Sequence, residues 1–211
     1  MNKDYNFNIK RNRPEEVYEK VTDYFKNDVL NQYASSKSMA RIQQKITKRA
    51  LELLNLKSGK SLILDAGCGP GFAAFYLKEM GYKIVALDII TEFLTYYEIN
   101  HLNPINSDMC SPPFRPNIFD AIISISALQW IFRDINNNLM LSMTKSLFKA
   151  FFQILRPNRK ALMQFYPKNK ETVKEIGKII TIYTDFKGEF IIDNPNNEKK
   201  RKIFLLLEKK F

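Results

Sequence analysis

A glycine-rich turn between an apolar strand and a helix is the feature that most narrows the folds open to this sequence. The string LILDAGCGPG has glycines at positions 67, 69 and 71, which allow a tight turn and a close approach of a ligand to the backbone. The strand before the turn ends in Asp65, and the next apolar strand ends in Asp88. Dinucleotide-binding enzymes use another spacing, Gly-x-Gly-x-x-Gly, which places helix-terminal amides on a pyrophosphate. An acid at the strand end instead favours a ligand with an ammonium group.

Strands and helices alternate from residue 61 onward, a pattern typical of a parallel sheet covered by helices. Strands are predicted near residues 61–65, 83–87, 104–107, 119–125, 160–166, 189–193 and 202–208, and helices near residues 72–80, 91–98, 139–155 and 171–183. Upstream, a short helix is predicted from Pro14 to about Asp23, and an amphipathic helix from Met39 to Leu54. The sequence predicts one α/β domain, in which an N-terminal helical extension (residues 1–58) packs on a core (residues 59–211).

The glycine turn and the strand-end acids resemble motif I and its neighbours in class I S-adenosylmethionine-dependent methyltransferases. The resemblance implies a Rossmann-like, seven-stranded, mostly parallel sheet with helices on both faces, an antiparallel last strand, and S-adenosyl-L-methionine as cofactor. It places Asp65 near the methionine moiety, Asp88 on the ribose hydroxyls, and Asp108 near the adenine amino group. The complete expected cofactor set is Asp65, Gly67, Cys68, Gly69, Gly71, Asp88, Ile89, Asp108, Met109 and Ser124.

The fourth predicted strand and the residues after it, FDAIISISALQW, lack the acceptor motifs of several methyltransferase classes. They have no Asn/Asp-Pro-Pro-aromatic turn, which argues against adenine-N6 and glutamine acceptors. Neither Cys68 nor Cys110 has the Pro-Cys or Thr-Cys context of cytosine-C5 enzymes, which need an attacking thiolate. His101 is predicted to be a surface residue rather than a catalytic base. With no general base evident, guanine N7 fits as acceptor because it carries no proton to remove.

Two strings, ISISALQW and QFYPKN, resemble the small-subunit ribosomal RNA guanine-N7 methyltransferase family of eukaryotes and its archaeal relatives. The resemblance covers nearly the whole chain and implies N7-methylation of one guanosine in small-subunit rRNA during ribosome biogenesis. Open α/β sheets bind ligands at the carboxyl ends of their strands, so a guanine pocket is expected near Tyr166 and Pro167. Stacking on Trp130 or Tyr166 would hold the base, and an amide would contact its Watson–Crick edge. The expected acceptor-positioning residues are Gln129, Trp130, Gln164, Phe165, Tyr166 and Pro167; Trp130 and Phe165 are alternatively core aromatics.

The same resemblance implies a heterodimer with a small zinc-binding activator subunit, which would add a strand to the sheet edge near residues 104–107. The sequence departs from the family pattern at Cys110, where a glycine is usual, and at residues 185–188, where Gly-Phe-x-Gly-Gly is reduced to Asp-Phe-Lys-Gly. The long basic C-terminal tail of eukaryotic members is absent. We therefore expect a cytoplasmic rather than a nuclear protein, without a secretory leader or membrane-spanning segment.

The charge of the chain favours a polyanionic partner such as rRNA or a pre-ribosomal particle. The formal net charge is +11 and the isoelectric point is near 9.5, and each Lys or Arg placed on a phosphate adds affinity that does not depend on sequence. The basic side of the amphipathic helix and the stretch 199–202 are candidates for this contact; the alternative for the helix is a plain solvated face. With two cysteines, the chain can form neither a disulfide framework nor a four-cysteine zinc site.

Two other functions remain compatible with the sequence. One is a methyltransferase for a small metabolite or a carrier-bound acid, for which a connected basic patch would be superfluous. The other is a non-catalytic ribosome-assembly factor, which would bind RNA in a salt-dependent way without transferring a methyl group. The segment 136–138 is either a lid over the acceptor or a plain loop.

Overall fold

A seven-stranded sheet forms the centre of the protein. The computed structural model describes residues 13–57, 59–97, 102 and 104–210. The strands are β1 (Leu62–Ala66), β2 (Lys83–Asp88), β3 (Ile105–Asn106), β4 (Phe119–Ile125), β5 (Leu155–Phe165), β6 (Lys187–Asp193) and β7 (Lys202–Lys209). Their order is β3-β2-β1-β4-β5-β7-β6, and β7 runs antiparallel to both of its neighbours, whereas the pairings among β1 to β5 are parallel. The predicted Rossmann-like α/β fold with an antiparallel last strand is confirmed.

Helices cover both faces of this sheet. They are α1 (Pro14–Val17), α2 (Val21–Tyr24), α3 (Asn27–Ala34), α4 (Lys37–Leu54), α5 (Phe72–Glu79), α6 (Thr91–Leu94), α7 (Leu128–Ile131), α8 (Asn138–Ile154) and α9 (Lys170–Tyr183). The prediction of one helix from Pro14 to Asp23 was wrong, because Tyr18 and Lys20 adopt extended conformations that separate α1 from α2. Helices α3 and α7 were not predicted. Helix α6 ends at Leu94, earlier than the predicted 98, and residues 98–101 lie outside the described part of the chain.

Two apolar cores lie on opposite sides of the sheet, because successive residues of a strand face opposite directions. On one side, Ile63, Ile123 and Leu162 pack against α4 and α5. On the other side, Leu64 and Ile122 pack against α7, α8 and α9. These five strand residues are fully buried, as expected for a parallel sheet that is covered on both faces.

Helix α4 anchors the N-terminal segment to the sheet. At its start, the Ser36 hydroxyl accepts a hydrogen bond from the backbone amide of Met39 at 3.2 Å, which satisfies one of the free amides of the first turn. At its end, Asn55 adopts a left-handed conformation with φ of 50°, a common way to terminate a helix. The buried side of α4 consists of Gln43, Ile46, Thr47, Ala50 and Leu54. The predicted amphipathic helix is confirmed, with its start two residues earlier than expected.

Strand β3 forms one edge of the sheet and β6 forms the other. Strand β3 pairs with β2 through only two residues, Ile105 and Asn106. No described helix is long and apolar enough to cross a membrane. The division into an extension and a core stays a prediction, and its boundary residue, Ser58, together with residues 1–12, lies outside the described residues.

Candidate functional site

The glycine turn connects the end of β1 to the start of α5. The backbone amides of Gly67 and Cys68 both donate to the carbonyl of Leu87, at 2.8 and 3.0 Å, and so tie the turn to β2. Gly67 has a φ of 76°, and a Cβ at this position would lie 2.7 Å from the Cβ of Ala127. Glycine is therefore required here for its backbone conformation and for lack of space.

The side chain of Asp88 holds the same turn from the end of β2. Its Oδ2 accepts a hydrogen bond from the amide of Gly69 at 2.7 Å, and its Oδ1 accepts one from the amide of Ile90 at 2.9 Å. Burial raises the pKa of Asp88, and these amide hydrogen bonds oppose that shift. A carboxylate offers about four acceptor positions, so Asp88 can still accept hydrogen bonds from a ligand.

Asp65, near the end of β1, has a buried carboxyl group with one oxygen that accepts no hydrogen bond from the described residues. The residue is 1% exposed, and its Oδ2 has no hydrogen-bond partner in the described structure. Burial, followed by repulsion from Asp88, raises the pKa of Asp65 to about 7. Because a buried carboxylate without a partner is costly, a cationic ligand at this strand end would be favourable.

The chain after β3 brings a third carboxylate to the same edge of the sheet. The amide of Ser107 donates to the carbonyl of Asp88 at 3.0 Å, which holds the two strand ends together. Asp108 accepts a hydrogen bond through Oδ1 from the amide of Cys110 at 2.8 Å. Parallel strands present their carboxyl ends at one edge, and the three acids meet there for that reason.

A cavity of about 370 Å³ opens where these strand ends meet. The sequence-predicted residues that line it are Gly67, Gly69, Asp88, Ile89, Asp108, Met109 and Trp130. The N-terminal segment, the end of β4 and the first turns of α8 complete its wall. The volume falls within the range of about 300 to 1,000 Å³ that is typical of small-molecule sites.

The sequence of this chain is similar to those of known methyltransferases. A family model described as a methyltransferase domain matches residues 64–163. The chain is 36% identical over 192 residues to the 18S rRNA (guanine(1575)-N(7))-methyltransferase of Saccharomyces cerevisiae, covering 88% of this chain and 68% of that protein. It is 30% identical over 204 residues to the 18S rRNA (guanine-N(7))-methyltransferase of Schizosaccharomyces pombe, covering 93% of this chain and 74% of that protein. The chain belongs to the 18S rRNA (guanine-N7)-methyltransferase family.

A solved structure of geranyl diphosphate C-methyltransferase from Streptomyces coelicolor shares the fold of this family member. The TM-score is 0.60 over 81% of this chain and 82% of that chain, at 9% sequence identity. That enzyme was crystallised with Mg²⁺, geranyl diphosphate and S-adenosyl-L-homocysteine. At this identity, the likeness establishes the fold alone.

Aromatic residues of the N-terminal segment cover the cavity of this guanine-N7 methyltransferase family member. The Trp130 ring lies 5.7 Å from that of Tyr24 and 6.0 Å from that of Phe25, measured between ring centres. Phe25 and Tyr33 line the cavity beside Trp130, and burial raises the pKa of Tyr33 to about 12. Sequence reasoning missed Phe25 and Tyr33, for which the aromatic pair Tyr24-Phe25 was the available signal.

Arg133 fastens the N-terminal segment at the rim of the cavity. Its guanidinium donates to the backbone carbonyls of Tyr18 and Glu19 at 3.3 and 3.2 Å, and to that of Trp130 at 3.2 Å. Arg133 and Glu19 both line the cavity. This contact could not be predicted from the sequence, because it joins Arg133 to residues that lie 114 and 115 positions away.

Two of the predicted acceptor-positioning residues, Gln129 and Gln164, lie behind the cavity wall. The Ser126 hydroxyl donates to Gln164 Oε1 at 2.9 Å, and Gln164 Nε2 donates to the carbonyl of Phe165 at 3.2 Å. Gln129 Nε2 donates to the carbonyl of Ser126 at 2.7 Å. Ser126 itself lines the cavity and has a φ of 59°. Both glutamines therefore hold Ser126 in a conformation that non-glycine residues seldom adopt.

The other predicted acceptor residues also lie outside the cavity lining. Phe165 is fully buried in the core beside α8 and α9. The carbonyls of Tyr166 and Pro167 accept hydrogen bonds from the guanidinium of Arg13 at 3.5 and 3.2 Å. The ammonium group of Lys202 lies 5.6 Å from the centre of the Tyr166 ring. Of the six predicted acceptor-positioning residues, the structure brings Trp130 alone to the cavity.

Four members of the predicted cofactor set, Asp65, Cys68, Gly71 and Ser124, lie outside the cavity lining. Burial raises the pKa of Cys68 well above its ordinary value, which keeps the thiol protonated and agrees with a packing role. A Cβ on Gly71, whose φ is 97°, would lie 2.5 Å from the Phe75 ring. The hydroxyl of Ser124 is buried without a hydrogen-bond partner in the described structure.

The segment 136–138 starts helix α8 and contributes to the cavity wall. The Asn137 side chain accepts a hydrogen bond from the amide of Met140 at 3.1 Å, as an N-cap residue does. Asn137 and Met140 both line the cavity. Among the described residues, no group of three His, Cys, Asp or Glu side chains is placed to hold a metal ion.

Proposed function

We propose that this protein uses S-adenosyl-L-methionine to methylate N7 of a guanosine in small-subunit rRNA during ribosome biogenesis. The observation that carries the proposal is its similarity, over 88 to 93% of its length, to two proteins named for that reaction. The carboxylates at the sheet edge and the adjoining cavity supply a site of the required kind. We place the activity in the cytoplasm, as expected from the sequence.

The residues at the strand ends fit the methyl donor. The unpartnered Oδ2 of Asp65 is suited to the ammonium group of the methionine moiety, and Asp88 to the ribose hydroxyls. Asp108 is suited to the adenine amino group, with Met109 and Ile89 packed beside the ring. Ile89 is 46% exposed and lines the cavity, so ring packing would bury apolar surface that is now in contact with water.

In the proposed reaction, the donor supplies an electrophilic methyl group on a sulfonium ion. The bond from guanine N7 to the methyl carbon forms as the bond from sulfur to that carbon breaks, and the positive charge passes to the guanine. No proton is removed at N7, so the protein needs to position the two reactants rather than to supply a base. Trp130 would hold the guanine ring by stacking, while Gln129 and Gln164 would act indirectly by fixing Ser126.

The edge strand β3 is the proposed docking site of a small zinc-binding activator subunit. Two facts support this site: β3 is an outer strand of the sheet, and it pairs with β2 through two residues only. A partner strand would satisfy backbone groups on the open side of β3 and remove an edge that invites aggregation. The activator would also help to hold Asp108 in place, because Asp108 lies only two residues after the end of β3.

Donor affinity should depend on pH through Asp65, whose pKa is about 7 in the free protein. An ammonium group favours the ionised carboxylate, so donor binding should weaken below about pH 7, approaching tenfold per pH unit. In the free protein, the free energy of unfolding should fall as pH rises from about 4 to about 7, because Asp65 binds its proton more tightly in the folded than in the unfolded state.

Calorimetric titration with the donor at several pH values measures the pH dependence of donor affinity. Asp65→Asn should remove the part of the pH dependence of donor affinity that is centred near pH 7, and an unchanged dependence in that variant would exclude Asp65 as its source.

The reaction itself is tested with labelled S-adenosyl-L-methionine and small-subunit particles, with and without a co-expressed zinc-binding activator. N7-methylguanosine is then mapped by reduction and strand cleavage. A single cleavage site in small-subunit rRNA would establish the acceptor, and dependence on the co-expressed subunit would establish the partner. Donor binding without label in any RNA would favour a small-molecule acceptor or a non-catalytic assembly role.

A further inference from the structure

Two lysines and a tyrosine form a compact group on the outer side of helices α8 and α9. Lys145 and Lys149 lie one turn apart on α8, and their ammonium groups are 4.6 and 5.4 Å from the centre of the Tyr183 ring at the end of α9. Tyr183 is 37% exposed and the adjoining Ile182 is 68% exposed. We call the four residues Lys145, Lys149, Ile182 and Tyr183 the α8–α9 surface.

The positive charge of the α8–α9 surface is not neutralised by nearby acids. Neither Lys145 nor Lys149 has a carboxylate within 4 Å among the residues that the structure describes. The sequence of α8 contains no Asp or Glu at all. Cation–π contact with one ring lowers the energy of each ammonium group but leaves both charges in place. The surface is therefore suited to an anionic partner.

Helix α8 connects the α8–α9 surface to the wall of the candidate active site. The start of α8 lines the cavity through Leu139, Met140 and Met143. Leu139 is 65% exposed, although it belongs to the cavity wall. Lys145 follows Leu139 by six residues, a rise of about 9 Å along the helix axis. Lys145 and Lys149 face away from Met140 and Met143 on the helix. A polymer with one residue in the cavity would therefore reach the two lysines across the exposed side of α8, which includes Leu139 and Ser142.

We propose that the α8–α9 surface binds the phosphate backbone of the RNA strand that carries the target guanosine. Lys145 and Lys149 pair with its phosphates, while Tyr183, Ile182 and Leu139 contact bases or sugars that flank the target. Exposed aromatic and basic side chains together are the usual means of holding an RNA strand. This inference rests on the proposed function and adds the path of the substrate to it.

The test compares two double variants that remove the same charge at different places. Lys145→Gln with Lys149→Gln neutralises the α8–α9 surface, whereas Lys60→Gln with Lys83→Gln neutralises exposed lysines before β1 and at the start of β2. Affinity for isolated small-subunit rRNA is measured over a range of salt concentrations. Each lost phosphate contact should lower the slope of log affinity against log salt by about 0.7 to 0.9. We expect a decrease of about 1.4 to 1.8 for the first variant and little change for the control.

An equal slope in wild type and in the Lys145/Lys149 variant would overturn the proposal, as would an equal decrease in both double variants. Thermal unfolding is measured in parallel, because a loss of stability with an unchanged slope would mean that the lysines only pack on Tyr183. Transfer of label to RNA by the wild type is scored separately. Absent transfer would count against the proposed function, whereas the salt slope tests the RNA-binding surface itself.

Discussion

Replacing Asp88 by alanine is expected to abolish detectable binding of S-adenosyl-L-methionine. The substitution removes the acceptor for both ribose hydroxyls and also releases the amides of Gly69 and Ile90. A hydrogen bond to a charged group contributes about 1.5 to 3 kcal/mol, so losing two ribose contacts corresponds to a decrease in affinity of at least about 100-fold. Titration calorimetry with the donor measures this effect directly.

Asp120→Ala is the matched control for Asp88→Ala. Asp120 is also a buried carboxylate that accepts a hydrogen bond from a backbone amide, that of Leu62 at 3.0 Å, and it pairs with Arg156 at 2.9 Å. It lies on β4 but does not line the cavity. We expect Asp120→Ala to lower thermal stability and to leave donor affinity nearly unchanged in the folded protein. Near wild-type donor affinity in Asp88→Ala would contradict the assignment of the donor site.

Trp130→Ala is expected to decrease methyl transfer to RNA by about 100-fold, because stacking contributes about 1 to 3 kcal/mol per base and a misplaced acceptor reacts slowly. Donor affinity should change by only a few fold, since the carboxylates and the glycine turn stay in place. The rate of transfer to small-subunit particles at saturating donor, together with the donor dissociation constant, measures both quantities. Trp130→Phe should recover much of the lost rate because it keeps an aromatic face.

Tyr24→Ala separates a base contact from a packing contact. Tyr24 touches the Trp130 ring from the N-terminal segment but does not line the cavity. If Trp130 acts by stacking on the guanine, Tyr24→Ala should affect transfer much less than Trp130→Ala. Equal losses in the two variants would show that Trp130 acts mainly by holding the N-terminal segment, and the acceptor assignment would then fail.

The meeting of three acids at one edge of the sheet could be predicted from the sequence. Asp65, Asp88 and Asp108 each follow an apolar strand, and parallel strands bring their carboxyl ends together. The glycines between Asp65 and α5 were also informative, because their positive φ angles are conformations that other residues seldom adopt. Six of the seven strands were predicted to within two residues, because continuous apolar runs bounded by turns indicate buried parallel strands. Strand β5 begins at Leu155, five residues before its predicted start.

The acceptor half of the site was less accessible to sequence reasoning. Gln129 and Gln164 were predicted from their positions near strand ends, yet both are directed at Ser126 and lie outside the cavity lining. The pattern of a strand indicates which residues alternate between the two faces of the sheet. Which of these side chains reach the cavity depends on how β5 pairs with its neighbours in the tertiary structure. The break between the short helices α1 and α2 was missed because helices of one turn are unstable alone. The position of α2 depends on packing of Tyr24 and Phe25 against Trp130 of α7.

The sequence by itself determined the fold class, the family, and the edge of the sheet at which Asp65, Asp88 and Asp108 meet. These properties follow from local patterns, namely apolar periodicity, strand-end acids and glycines with positive φ, which act over a few residues. The tertiary structure alone decided that the N-terminal segment covers the cavity, that Arg133 holds Tyr18 and Glu19, and that the pKa of Asp65 rises to about 7. These features result from burial and from contacts between residues more than 100 positions apart, and a local sequence pattern predicts neither of them.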